Sequence, residues 1–336
     1  MAHLDTGAGR TRAGGLALII LSSVCFGGSG PFGKALIEAG LSPLQAVWVR
    51  IAGAALVFTA LAATVRGRRA WTTARAHLAP LLGYGVGAIA GCQGLYFLAA
   101  SRLPVGIAIL LEFCGPVLVL LWLRLVRRVQ VQRTAAHGVA VAMVGLALVV
   151  QVWDGLRLDA LGLAAGLGAA ACQAAYFLLL DRMGDGADPL VTNAAGGIIA
   201  AVVLTPIALP WSVPWHILAG PVPIAGHTAP GWALVAWIIA ISTVLAYLTG
   251  NAAVHRLSAQ VAGALSYTEA VAATLIAWVV LGEHLNPVQL LGGAVVLTGA
   301  YLAQRSVTTT STTSVPLSVA EPLPTPELLD TSKTPH

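Results

Sequence analysis

Two glutamates interrupt long apolar runs: Glu112 in LLEFCGP and Glu269 in SYTEAVAAT. A carboxyl in such surroundings can take up a proton, release it or pair with a cation, and each is a step in moving a charged solute. At the centre of a bilayer an ionisable side chain costs about 2.5–3.5 kcal/mol by insertion scales, so it faces a cavity or a partner rather than lipid. The simpler alternative is a protonated carboxyl, bonded to a backbone carbonyl and concerned only with helix packing. Polar and aromatic residues fall at comparable depth: Gln93, Tyr96, Gln173, Tyr176, Tyr247, Asn251 and Tyr267. With the two carboxyls they are the predicted substrate-cavity or proton-coupling residues. Arg50 is a further charge inside an apolar run, about two turns from its outer end, where snorkelling and a structural role are expected.

The string Gly28-Ser29-Gly30-Pro31-Phe32-Gly33-Lys34 spells G-x-x-x-x-G-K, the opening of a phosphate-binding loop. That motif needs Ser or Thr next, to hold magnesium, and the residue is Ala35; the run before it has membrane length and is no short strand. The string is expected instead to loosen the outer end of a first helix, with Lys34 snorkelling to the interface. No H-E-x-x-H or G-x-S-x-G string occurs, and Glu283-His284 sit in an outer turn between apolar runs, so neither a catalytic group nor a metal ligand set is expected. Cys25, Cys92, Cys114 and Cys172 all lie in apolar runs without a C-x-x-C, which predicts small packing residues and not a disulfide framework. No cofactor is implied, and a membrane-embedded enzyme is disfavoured.

Positioning these groups falls to ten apolar runs, at 15–33, 44–65, 78–100, 104–126, 135–152, 160–180, 190–209, 232–250, 259–281 and 287–303. A bilayer core of about 30 Å takes roughly 20 residues of helix. Hydrophobic residues make up 57% of the chain and charged residues 9%, more apolar surface than a soluble globule can hide. The expected class is an all-α integral membrane protein of ten transmembrane helices, with lipid as its solvent. The net charge of +5 reflects orientation and not nucleic-acid binding: with the N-terminus inside, 14 of the 18 Arg and Lys fall in inner segments and only Lys34, Arg102 and Arg157 in outer ones. By the positive-inside rule both termini are cytoplasmic. Residues 1–14 form a short inner tail. Residues 306–336, rich in Ser, Thr and Pro, read as a disordered inner tail.

The chain repeats itself. At an offset of 154, Arg102-Leu103 falls on Arg256-Leu257, Gly138 on Gly292, Gly145 on Gly299 and Gln93 on Tyr247; at 146, Pro43-Leu44 falls on Pro189-Leu190. Glu269 falls on Gly115, one turn from Glu112. Each half, 15–152 and 160–305, holds five runs, an odd number, so the halves enter the membrane in opposite senses. Inverted repeats of this kind mark secondary transporters, with a site near the midplane between the halves. Glycine stripes at Gly83, Gly87 and Gly91 and at Gly162 and Gly166 predict close helix packing.

The segment GALSYTEAVAATLIAWVVLGEHLNPVQLLGGAVVLTGAYL resembles the EamA repeat of the drug/metabolite transporter superfamily, in which a Glu after Leu-Gly closes the ninth span. Where the first half would carry Leu-Gly-Glu, it has Val126, Arg127 and Arg128. The stretch LPVGIAILLEFCGPVLVLL is similar to bacterial threonine and homoserine exporters at Gly106, Ile107, Ala108, Leu111, Glu112, Phe113, Gly115 and Pro116. The resemblance implies a ten-helix inner-membrane exporter with a central cavity lined by helices that include three, four, eight and nine. The expected function is secondary active export of amino acids or other small polar metabolites, and the alternative is a multidrug or quaternary-ammonium exporter. The expected partners are the substrate and lipid, not nucleic acid, and homodimerisation is left open.

Overall fold

The computed structural model describes residues 5–67, 71–72, 74–75, 77–126, 128, 133–150, 159–183, 188–224, 226–254, 256 and 267–312. Its helices are α1 (Asp5–Gly27), α2 (Ser29–Glu38), α3 (Pro43–Arg66), α4 (Leu78–Ala100), α5 (Val105–Glu112), α6 (Gly115–Leu125), α7 (Arg133–Val150), α8 (Ala160–Met183), α9 (Pro189–Ala208), α10 (Trp215–Ala219), α11 (Gly231–Ala253), α12 (Thr268–Leu281) and α13 (Pro287–Thr312). Among the described residues five runs are long and apolar enough to cross a membrane: Ala13–Glu38, Pro43–Arg66, Leu78–Ala100, Pro189–Ala208 and Gly231–Ala253. Shorter apolar helices lie at His137–Val149, Ala160–Ala175, Thr268–Leu281 and Pro287–Gly299. Apolar side chains such as Leu56, Val144, Val202 and Val279 point outward, which only lipid makes favourable. The protein is an α-helical, multi-pass membrane protein.

Local sequence explains where the long helices begin. Ser42 caps α3 by accepting from the Gln45 amide at 3.2 Å, while Gln45 Oε1 accepts from the Ser42 amide at 2.9 Å. Pro43 comes directly after the cap, where a missing N–H is harmless. Asp188 caps α9 in the same way, accepting from Leu190 N at 2.9 Å, with Pro189 next. These are the two Pro-Leu sites that the repeat aligns.

Glycine brings helices into backbone contact. A Cβ on Gly145 of α7 would lie 2.5 Å from Val296 N of α13, and one on Gly292 would lie 2.8 Å from Val149 N. A Cβ on Gly299 would likewise press on the Ala142 amide and come within 2.6 Å of the Gly138 carbonyl. The contacts Gly145–Gly292 and Gly138–Gly299 exchange with each other under the 154-residue offset. Elsewhere Gly27 of α1 meets Ala273 of α12, and Gly197 of α9 meets Ala55 of α3. Lipid provides no hydrophobic drive between helices, so close packing of this sort is a main source of cohesion.

Several boundaries differ from expectation. The first run breaks within itself, at Gly28, and α2 continues it to Glu38. The fourth divides into α5 and α6 at Phe113–Cys114, because Pro116 has no N–H to offer the Glu112 carbonyl. The last helix passes Arg305 and runs to Thr312, while residues 313–336 and the start of the ninth run, 259–266, lie outside the described residues. The connection before α11 holds a hairpin, β1 (Pro221–Ile224) with β2 (His227–Pro230), paired antiparallel with Ile224 opposite His227. Gly226 at φ +80° supplies the turn, and Val222 is fully buried. Trp211, Trp215 and Trp232 around the hairpin are exposed, as interface anchors are.

Along the stripe Gly83, Gly87, Gly91, a Cβ on Gly91 would lie 3.1 Å from Cys172 Sγ of α8, while one on Gly87 would meet nothing within 4 Å, and Gly85 makes a further close approach, 2.8 Å from the Gly196 carbonyl of α9. Residues Tyr84–Gly91 are π-helical, with more than four residues per turn, so the faces differ from those an α-helix would present. Gly162 and Gly166 do pack closely, against Leu103 and Leu111.

Candidate functional site

Two helices depart from α geometry at matching places. In α4 the π segment is Tyr84–Gly91, and adding 154 gives 238–245, which contains the π segment Ala240–Leu245 of α11. Single π turns inside longer helices recur at functional sites, because they shift the register of the next turns and free backbone carbonyls. Here Gln93 comes just after the first π segment, and Thr243 lies inside the second. Thr243 Oγ1 donates to the Ile238 carbonyl at 2.8 Å, five residues back.

Between α3, α4, α9 and α11 lies a small cavity of about 30 Å³, well below the roughly 300–1,000 Å³ typical of ligand sites. Its wall includes Arg50 and Phe58 of α3, Gln93 of α4, Asn193 of α9, and Thr243 and Tyr247 of α11. Arg50 is only 5% exposed. Its Nε donates to Thr243 Oγ1 at 2.9 Å and its Nη1 to Gln93 Oε1 at 2.5 Å, with the Phe97 ring 5.7 Å beneath the guanidinium. Asn193 Oδ1 accepts from Tyr84 OH at 2.9 Å, and Tyr247 packs edge-on against Phe26 and Phe58.

Both carboxyls are close enough to Arg50 to interact with it electrostatically, and to each other, without touching. Glu112 ends α5, where Cys92 Sγ donates to its Oε1 at 3.3 Å. Glu269 stands in the first turn of α12. The structure thus gathers Glu112, Glu269, Gln93, Tyr96 and Tyr247 around Arg50. Gln173 and Tyr267 flank the α5–α6 break instead: Gln173 Oε1 faces Gly115, and the Tyr267 ring lies 5.2 Å from Phe113. Asn251 is half-buried further along α11, and the Tyr176 side chain lies outside the described residues.

Three expectations change. Arg50 does not snorkel; α3 turns it inward, where Gln93 and Thr243 hold it. Lys34 does not reach for the interface either: its Nζ is 2.5 Å from Glu283 Oε1 and 3.0 Å from the Leu103 carbonyl, while Glu283 Oε2 accepts from Val105 N at 2.8 Å. One ion pair therefore ties α2, the start of α5 and the turn after α12. Cys92 is more than filler, since it reaches Glu112. The glycines of the phosphate-loop-like string serve packing: side chains on Gly30 and Gly33 would run into Tyr96 and Phe97.

Thr243 and Asn193 carry no signal in the sequence that marks them as site residues. Each is an ordinary polar residue in an apolar run, and only the 154-residue correspondence of the π segments points towards Thr243.

Comparison with known proteins agrees with this architecture. The EamA-like transporter family matches residues 13–151 and 160–304. The threonine/homoserine exporter RhtA of Escherichia coli K12 is 33% identical over 222 residues, covering 65% of this chain and 68% of that protein. An uncharacterized transporter of Bacillus subtilis, YwfM, is 25% identical over 292 residues, 84% of this chain and 91% of that one. A crystal structure with 21% identity superposes with a TM-score of 0.52 over 88% of this chain and 98% of its own, a likeness of fold. The chain belongs to the EamA-like transporter family.

Proposed function

We propose that the protein is a secondary active exporter of amino acids or similarly small polar metabolites in a bacterial inner membrane. Two inverted five-helix repeats, 15–152 and 160–305, alternate access to a site between them. The observation that carries this reading is the cavity, in which Gln93 and Tyr247, equivalent by the repeat, face one buried arginine with two carboxyls nearby. The matched π segments and the exchanging glycine contacts of α7 and α13 support the repeat. The named activity of RhtA supports the substrate class. Everted vesicles loaded with the protein are expected to accumulate labelled threonine or homoserine at rates well above those of protein-free vesicles. Accumulation of a quaternary ammonium and of neither amino acid would reject this reading.

In the same reading both termini and the Arg-rich segments at 66–75 and 124–133 are cytoplasmic, supported by the partition of Arg and Lys. A single cysteine at position 68 or 128, on a cysteine-free background, is expected to resist an impermeant maleimide in intact cells and to react after permeabilisation. Labelling from outside would reverse the orientation.

A further inference from the structure

We propose that Arg50 is the receptor for a carboxylate on the transported solute. The inference rests on the cavity being the transport site and narrows what that site accepts. A guanidinium carries five N–H donors. Two of them go to neutral oxygens, on Thr243 and Gln93, and these bonds fix the plane of the group at the cavity wall. Among the described residues the ion pairs are Lys34–Glu283, Arg66–Asp188 and Arg102–Asp159, so no carboxylate is in contact with Arg50.

A buried charge held by neutral partners beside a cavity is a site waiting for its counterion. Removing an arginine from water is unfavourable unless something of opposite charge compensates. Glu112 and Glu269 do so only at a distance. A zwitterionic solute offers a carboxylate to the arginine and an ammonium group to the side of the two glutamates. The planar fork suits a carboxylate, which can accept two parallel N–H bonds, and lysine cannot reproduce that geometry. A solute with only a cationic group would meet Arg50 as a like charge.

The test uses the full-length protein in lipid nanodiscs, reading thermal stabilisation by added solutes. The probes are L-threonine, L-threoninamide, which keeps the ammonium and lacks the carboxylate, and 2,3-dihydroxybutanoate, which keeps the carboxylate and lacks the ammonium. Wild-type protein is expected to bind the two carboxylates, with threoninamide roughly 10- to 100-fold weaker than threonine. Arg50→Lys and Arg50→Gln are expected to weaken both carboxylates by a similar factor, and neither is expected to weaken threoninamide, which Arg50→Gln relieves of a like charge. Binding of the hydroxy acid in an Arg50-dependent way, without binding or transport of threonine, would support the receptor while rejecting amino-acid export. Threoninamide binding as tightly as threonine to wild-type protein overturns the proposal, a result that needs no variant to fold. So does threonine binding unchanged by Arg50→Gln, or failure of both carboxylates to bind.

Discussion

Glu112→Gln is expected to leave the protein folded and inserted while net efflux falls at least about tenfold and loses its dependence on a proton gradient, a drop equivalent to about 1.4 kcal/mol or more at the limiting step. Glutamine matches the carboxyl in shape and can still accept from Cys92 Sγ, which lies 3.3 Å from Glu112 Oε1. It cannot exchange a proton. Glu112 closes a half-helix at the α5–α6 break, and broken helices at membrane depth are where transporters place solute and ion sites. Glu269→Gln is expected to act in the same direction with a smaller effect, since Glu269 opens the continuous helix α12. Initial rates in vesicles at matched membrane abundance, with and without a pH difference, are the measurement. Solute exchange in the absence of net flux should survive if the carboxyls couple protons. Wild-type rates with an unchanged pH profile in both variants would make them packing residues and end the proton-coupling reading.

Gly299→Leu and Gly145→Leu are expected to deplete the folded protein. Neither site has space for a side chain, because the backbone of the partner helix already occupies it: Val296 N lies 2.5 Å from the Cβ position of Gly145, and the Gly138 carbonyl 2.6 Å from that of Gly299. Backbone cannot swing aside as a flexible side chain can, so α7 and α13 would have to separate along their contact. Overpacking costs about 1–3 kcal/mol, and one or two kcal/mol is roughly a factor of 5–30 in folded population. Fluorescence-detected size-exclusion chromatography of tagged variants should show the monodisperse peak reduced accordingly. Gly87→Leu is the matched control, since a Cβ there would meet nothing within 4 Å. Equal loss at Gly87 would mean that helix propensity or insertion, and not the α7–α13 contact, governs the result.

The architecture was legible in the sequence because lipid imposes a simple rule: a crossing segment must be apolar and long enough, and its ends are marked by charge and by caps. Ser42 with Gln45, and Asp188 with Pro189, start helices where the apolar runs start, since capping is local chemistry. The run 104–126 reads as one span, and the break before Pro116, with its consequence for Glu112, appears only when the run divides. That Glu112 and Glu269 interrupt apolar runs is again a one-dimensional property.

What a residue faces is a different kind of information. Arg50 sits near enough to the outer end of its run to snorkel, and nothing in the sequence reports the rotation of α3 that turns it onto Gln93 and Thr243. Lys34 and Glu283 stand far apart in the chain and meet only because α2 and the turn after α12 end at one place. The stripe of Gly83, Gly87 and Gly91 assumes α-helical turns, which the π segment replaces, and Gly85 makes a close approach while Gly87 makes none. By itself the sequence determined the multi-pass, apolar character of the chain and the caps that open α3 and α9, because each depends on order along the chain and on transfer between water and lipid. Only the tertiary structure decided which side chains share the cavity and which polar groups become partners, because those depend on helix rotation and on contacts between segments that the order of residues does not encode locally.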